Sequence, residues 1–246
     1  MKTLLAAAAA IVLLQSVPTG AQPAPPRQER VSFAKGESSV TIKGQIKGDA
    51  DVDYVVRAAA GQTLSVTLKA SNRSNYFNVL PPGSADVAMH VAQDGQPYTG
   101  MLPTDGDYKV RVYLMRNAAR RNEVSNYELT ISVTGHALAP LPASKDALVP
   151  GTPFHASASI TCLPMPYGDT KPQQCEAFVI RRGADGTATV EIPSKGIKRR
   201  ILFVKGKPVA SDSAETMTVT RKGDVTTVKF ESGEYYEIVD ALVIGG

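Results

Sequence analysis

Asp107-Tyr108-Lys109-Val110-Arg111-Val112-Tyr113-Leu114 is the most regular stretch of the 246-residue chain. Val110, Val112 and Leu114 fall on one side of an extended backbone, and Lys109, Arg111 and Tyr113 on the other. A strand divided this way packs on one face only, as in antiparallel sheets with one wet side. The same two-residue period, rich in β-branched side chains, recurs on either flank. It is seen at 31–34, 39–44, 54–58, 63–69, 76–80, 87–91 and 127–133. Gly48-Asp49, Ala60-Gly61-Gln62, Pro81-Pro82-Gly83, Asp94-Gly95 and Asp105-Gly106 punctuate the gaps. Eight short strands with a turn every 8 to 12 residues or so predict an all-β fold, beginning with an eight-stranded antiparallel β-sandwich over residues 31–135. No long helix is expected.

Residues 136–152 hold three prolines and four alanines without a period, and read as a linker. A second, smaller β domain is expected over residues 153–246, with strands at 178–182, 187–192, 198–204, 216–221, 225–230 and 235–238. Gly183-Ala184-Asp185-Gly186 and Lys222-Gly223-Asp224 have hairpin composition. The apolar segment from Tyr235 to Gly246 reads as a docked last strand.

At the other end, Lys2, the apolar run Leu4 to Leu14, and small residues up to Ala21 have the three-part layout of a secretory signal peptide. The run is too short to cross a bilayer, which takes about 20 residues. Cleavage after Ala21 predicts a periplasmic or secreted protein with no transmembrane segment, whose residues 22–30 form a disordered, Pro-rich lead. In an oxidising compartment the two cysteines, Cys162 and Cys175, are expected to pair as one disulfide. Losing residues 1–21 removes Lys2 alone among the charges and lowers the formal net charge from +4 to +3. So weak and dispersed a charge excludes nucleic acid as a partner.

Clustered reactive groups are missing. His90, His136 and His155 are spaced for neither a shared metal nor a catalytic triad, and no Gly-x-Ser-x-Gly turn, phosphate loop or zinc-type cysteine pair occurs. Asp49, Asp51 and Asp53 alternate, yet no Glu closes a calcium loop around them. The expectation is a non-enzymatic binding protein without cofactor or metal. Trp is absent, which weakens a carbohydrate-platform reading. Lys195, Lys198, Arg199 and Arg200 form a basic cluster, read as the solvated end of a hairpin or as an anchor for anionic polymers.

The segment that remains is Met115-Arg116-Asn117-Ala118-Ala119-Arg120-Arg121-Asn122-Glu123, a loop expected to join two antiparallel neighbours. Its guanidinium groups match carboxylates in bidentate geometry. Small Ala118 and Ala119 leave a slim body, and Asn117 favours a turn or a positive φ. The alternatives are a basic finger that enters an acidic groove, or a solvated loop whose arginines pair with Glu123 and Asp107.

Arg116-Asn117-Ala118-Ala119-Arg120 resembles the Arg-Asn-x-Ala-Arg loop of the bacterial inhibitors of goose-type (g-type) lysozyme. The resemblance runs from Val31 to Val133 and includes Val31-Ser32-Phe33-Ala34-Lys35-Gly36, Gly44-Gln45-Ile46-Lys47-Gly48, Gly61-Gln62 and Gly106-Asp107-Tyr108-Lys109-Val110. It implies an eight-stranded sandwich whose loops enter the lysozyme's substrate cleft. Arg116 and Arg120 would approach the catalytic carboxylates, with Asn117 shaping the loop and Arg121 on its rim. The family places an aromatic residue after the Ile-Lys-Gly turn; here Asp49 stands there, with Tyr54 a few residues on, and both belong to the expected partner-binding set. The same stretches are similar to pre-peptidase C-terminal-like sandwich domains. They leave open a second reading, an accessory module that binds peptidoglycan or another envelope polymer without inhibiting anything.

Overall fold

The computed structural model describes residues 25–245 apart from 93–94, 165–170, 184 and 195. The expected signal peptide, residues 165–170 between the two cysteines, and Lys195 of the basic cluster therefore lie outside the described residues.

The N-terminal half carries β1 (Arg27–Arg30), β2 (Ser39–Lys47), β3 (Val52–Ala58), β4 (Thr63–Ala70), β5 (Asn75–Leu80), β6 (His90–Val91), β7 (Tyr98–Met101), β8 (Gly106–Leu114), α1 (Arg116–Arg120) and β9 (Val124–Thr134). Five strands form one sheet in the order β1-β3-β8-β5-β6, and four form another in the order β2-β9-β4-β7. In β8 the pattern read from the sequence holds at every position, with Tyr108, Val110, Val112 and Leu114 buried between half-buried Asp107, Lys109, Arg111 and Tyr113. β9 repeats it with Tyr127, Leu129, Ile131 and Val133 inside. These two rows, one from each sheet, belong to a single apolar cluster. Each fully buried aliphatic side chain there contributes about 1.5–3 kcal/mol.

Several expectations need correction. The strand expected at 31–34 is not one; Val31 and Phe33 pack on the core without extending the ladder. Instead β1 lies inside the expected disordered lead and pairs parallel to β3, Arg27 opposite Val52, so the arrangement is not purely antiparallel. Its side chains are mostly exposed, and a main-chain ladder on the edge of β3 leaves no apolar period to read. β7, whose outer face is wet, is likewise invisible to the pattern. The strand expected at 87–91 shrinks to the two residues of β6.

The C-terminal half folds as one eight-stranded sheet, β14-β13-β12-β11-β10-β17-β16-β15. Its elements are β10 (Ala156–Leu163), β11 (Gln173–Arg181), β12 (Ala188–Ser194), β13 (Ile197–Val204), β14 (Lys207–Ser211), β15 (Met217–Lys222), β16 (Val225–Phe230), β17 (Tyr235–Val239) and α2 (Asp240–Ile244). Cys162 on β10 and Cys175 on β11 form the expected disulfide, their Cα atoms 5.9 Å apart. The last segment ends in α2, which sets Leu242 and Val243 into the second core. Among the described residues no helix is long and apolar enough to cross a membrane.

The basic cluster at 198–200 is not a solvated hairpin end. Arg199 grips Glu234 with Nε and Nη2 at 2.7 and 2.9 Å, reaches Asp212 at 3.2 Å, and lies 4.9 Å over the Phe230 ring. Arg200 donates to Glu191 at 2.9 Å and to Asp212 at 3.2 Å. Both guanidinium groups are buried, as charges are when carboxylates satisfy their donors. Only Lys198 keeps a wet ammonium, held by Glu191.

Residues 136–152 are stitched to both halves. Leu138 N–H donates to Ala60 O, and Leu141 N–H to Arg181 O. Buried His155 accepts the Arg181 N–H at Nδ1 and donates from Nε2 to Leu141 O. The central joint is Arg182, with no exposed surface. Its Nε–H donates to Thr189 Oγ1 at 2.9 Å, and its Nη1 donates to Asp105 Oδ2 at 2.9 Å and to Leu138 O at 2.6 Å. Thr189 in turn donates to Pro103 O at 2.7 Å, and Asp105 Oδ1 accepts the Ala60 N–H. Asp105 is 34% exposed, whereas the guanidinium is dry. Deleting the acid strands a buried cation; deleting the base leaves a carboxylate that water can reach. Asp105→Ala is therefore expected to cost about 3 kcal/mol or more, and Arg182→Met less, in urea denaturation of the whole chain. The reverse order would show that the joint does not carry a dry charge.

Candidate partner-binding site

The finger does not join antiparallel neighbours: β8 and β9 belong to different sheets, and residues 115–123 carry the chain between them. Nor is its middle an irregular loop. Arg and Ala are good helix formers, and Arg116–Arg120 makes a single helical turn in which Ala118 and Ala119 N–H both reach Met115 O at 2.9 Å. Helical spacing turns Arg116, Asn117, Arg120 and Arg121 outward and the two alanines inward. Ala118 and Ala119 are members of the buried core cluster. They are thus an anchor, not the slim body of an inserting loop. Asn117 does not adopt a positive φ; its Oδ1 accepts the Ala118 N–H at 2.8 Å and tightens the turn. The left-handed residue is Asn122, at φ 54°, which reverses the chain into β9. Its residue type was the available signal, since Asn tolerates that conformation better than most.

The outward charges differ in their company. Arg121 donates to Glu123 Oε1 at 2.6 Å, and Glu123 Oε2 accepts from Asn72 at 2.7 Å. Asn72, and then Arg121, hold the Glu123 carboxyl below the usual carboxylate range. Asp107, the other acid expected near the finger, pairs with Arg30 and Arg57 instead. Arg116 and Arg120 are exposed and, among the described residues, lie in no ion pair within 4.0 Å. The ion pairing expected of a solvated loop is thus found at Arg121, and Arg116 and Arg120 point into solvent without it.

The turn between β2 and β3 packs directly against the finger. Gly48 N–H donates to Glu123 O at 3.0 Å, and Gly48 has φ +58°. Asp49 follows it and is exposed. Asp51 is half-buried, and burial pushes its carboxyl above the usual range against the pull of Arg111. Asp53 is buried and taken by Arg111, which donates to its two oxygens at 2.7 and 3.0 Å. The alternating acids therefore do not converge, and among the described residues no group of three potential ligands could hold a metal ion. Between turn and finger runs a groove lined by Asp49, Asp51, Tyr76, Tyr113, Met115 and Arg116. Tyr76 and Tyr113 meet edge to face with ring centroids 6.5 Å apart, and neither was singled out from the sequence as a site residue.

Tyr54 is not part of this surface. It is 1% exposed, and its hydroxyl and that of Tyr127 are 2.7 Å apart across the core. Burial, with that bond, pushes the Tyr54 phenol far up. The sequence places Tyr54 near the turn, but strand pairing with Val110 points it inward.

A Cβ added at Gly48 would stand 2.7 Å from Asn122 Oδ1, on a backbone that L side chains rarely adopt. At Gly36 the backbone is similarly left-handed, at φ +86°, but nothing lies within 4 Å. Gly48→Ala is expected to lower stability by more than the 1 kcal/mol or so of conformational strain, and Gly36→Ala by the strain alone, in parallel urea titrations. Equal losses would show that the Asn122 side chain swings clear of the added methyl group.

No family model matches the chain. It is 30% identical over 125 residues to the inhibitor of g-type lysozyme of Escherichia coli K12, a match covering 50% of this chain and 92% of that protein. The crystal structure of Aeromonas hydrophila PliG, a periplasmic inhibitor of g-type lysozyme, is 33% identical, with 45% of this chain and 98% of that one covered and a TM-score of 0.43. The pre-peptidase C-terminal domain of a Bacillus anthracis collagenase is 16% identical, with 46% of this chain and 100% of that domain covered and a TM-score of 0.33. The nearest of these in sequence are inhibitor proteins rather than enzymes. With almost the whole of the Escherichia coli protein matched at that identity, the chain belongs to the family of inhibitors of g-type lysozyme.

Proposed function

We propose that the chain inhibits a g-type lysozyme in the periplasm, by setting the helical turn Arg116–Arg120 into the acidic substrate cleft of the enzyme. The observation that carries this reading is the pair Arg116 and Arg120, exposed and without acidic partners on a turn whose alanines are fixed in the core. A muramidase cleaves glycan with carboxyl groups in a groove. Guanidinium groups held rigidly against such carboxylates lose little freedom on binding, and fork geometry gives each a charge-assisted pair. Asn117 serves the turn through its bond to the Ala118 N–H, and Arg121, braced by Glu123, is a rim charge. Asp49 stands on the adjoining turn as the second contact.

In this reading residues up to about 135 form the inhibitory unit, with β1 included, and residues 153–246 a separate β domain outside the family match. The resident relatives named periplasmic support the compartment. Binding to peptidoglycan itself remains the rival outcome of the tests, favoured by no particular observation in the described residues.

Lysis of peptidoglycan by g-type, chicken-type and invertebrate-type lysozymes, each with and without the protein, tests the reading. Selective loss of g-type activity near stoichiometric protein is expected. Arg116→Ala with Arg120→Ala is expected to weaken inhibition by about 1,000-fold, at about 2 kcal/mol per hot-spot arginine. The melting temperature should barely change, because both side chains are exposed. Full inhibition by the folded double variant would remove the finger from the interface.

A further inference from the structure

The finger and the groove beside it share Met115, Arg116 and Asn117. A partner seated on the finger therefore covers the groove as well, and must answer the chemistry of its opposite wall. That wall carries Asp49 and Asp51, which among the described residues are in no ion pair, together with Tyr76 and Tyr113. Arg116 shares the groove with these acids yet is not paired to them within 4.0 Å. The fold places the two charge signs along one groove. Gly48 N–H fixes the acidic turn to Glu123 O, and buried Ala118 and Ala119 fix the basic one.

Covering this wall without a counter-charge leaves carboxylates desolvated and unpaired, which opposes binding. A cation offsets it, and tyrosine rings attract the same group through their negative faces. We infer that the groove is a socket for a lysine or arginine side chain at the rim of the lysozyme's cleft, and that Asp49, Asp51 and the Tyr76–Tyr113 pair decide which lysozymes the chain blocks. This rests on the inhibitory reading above. The surface is then two-signed: Arg116 and Arg120 face carboxylates inside the cleft, and the acidic wall faces a cation beside it. A lysozyme with an acidic cleft but no such cation meets like charges and is rejected, which is how an unfavourable contact gives specificity.

The experiment uses the full chain and a set of g-type lysozymes that differ in the basic residues around the cleft. Asp49→Asn with Asp51→Asn keeps the shape and removes the charge; Asp49→Asn alone, at an exposed position, guards against a folding defect at Asp51. Against a lysozyme that the wild type inhibits, the double variant should weaken inhibition by about 10- to 100-fold and the single variant by part of that. On the enzyme side, Lys→Met or Arg→Met changes around the cleft are made one at a time. One of them should weaken the wild type similarly and leave inhibition by the double Asn variant unchanged. Equal or better inhibition by the Asn variants, with the arginine variant still inactive, overturns the socket and leaves the inhibitory reading standing. A wild type that inhibits none of the lysozymes overturns both.

Discussion

Burial of Ala118 and Ala119 is the contact through which the two sheets of the N-terminal half and the candidate site become one problem. The chain leaves β8 in one sheet and enters β9 in the other, and it makes the crossing by pressing two methyl groups into the core they share. A helical turn is the shortest way to put adjacent residues inward while their neighbours on either side point to water. Arginine positions 116 and 120 follow from that choice, since they lie one turn apart on the wet side. Larger side chains at 118 or 119 would overfill a close-packed interior and shift the charges with the backbone. The basic surface is thus positioned by its least polar residues.

What the sequence discloses and what it withholds follow one physical division. Side-chain burial imprints a period, so β8 and β16 are legible almost to the residue, and β9 from Tyr127 to Val133 though not at its first three residues. Main-chain hydrogen bonding does not, so β1 and β7, which add to sheet edges with mostly wet side chains, leave no trace in composition. Charge is legible as charge but not as location. Arg116 and Arg199 look alike in a list, yet the first is exposed and the second is enclosed by Glu234, Asp212 and Phe230, which are distant in sequence. Tyr54 fails for the same reason, because only the pairing of β3 with β8 shows which way it points. The finger motif was legible, while the groove beside it, assembled from β2–β3, β5 and β8, was not.

The enclosed network of the C-terminal half bears on register more than on stability. Buried ion pairs often gain little over apolar replacements of the same volume. Asp212, however, binds both guanidinium groups and the Arg200 N–H, so it has one place to stand. That holds the chain after β14 in alignment with β13 across the irregularity between Leu202 and Phe203. A slip by one residue would expose the apolar row and leave the charges inside without partners.

The Arg182 joint lies by Asp105 and Pro103, just before β8 begins, while the finger follows where β8 ends. Nine strand residues separate them, a span of about 30 Å. The polar joint to the C-terminal half is therefore made at the end of β8 away from the finger. A tether, label or solid support attached beside that joint would sit a strand's length from the working end.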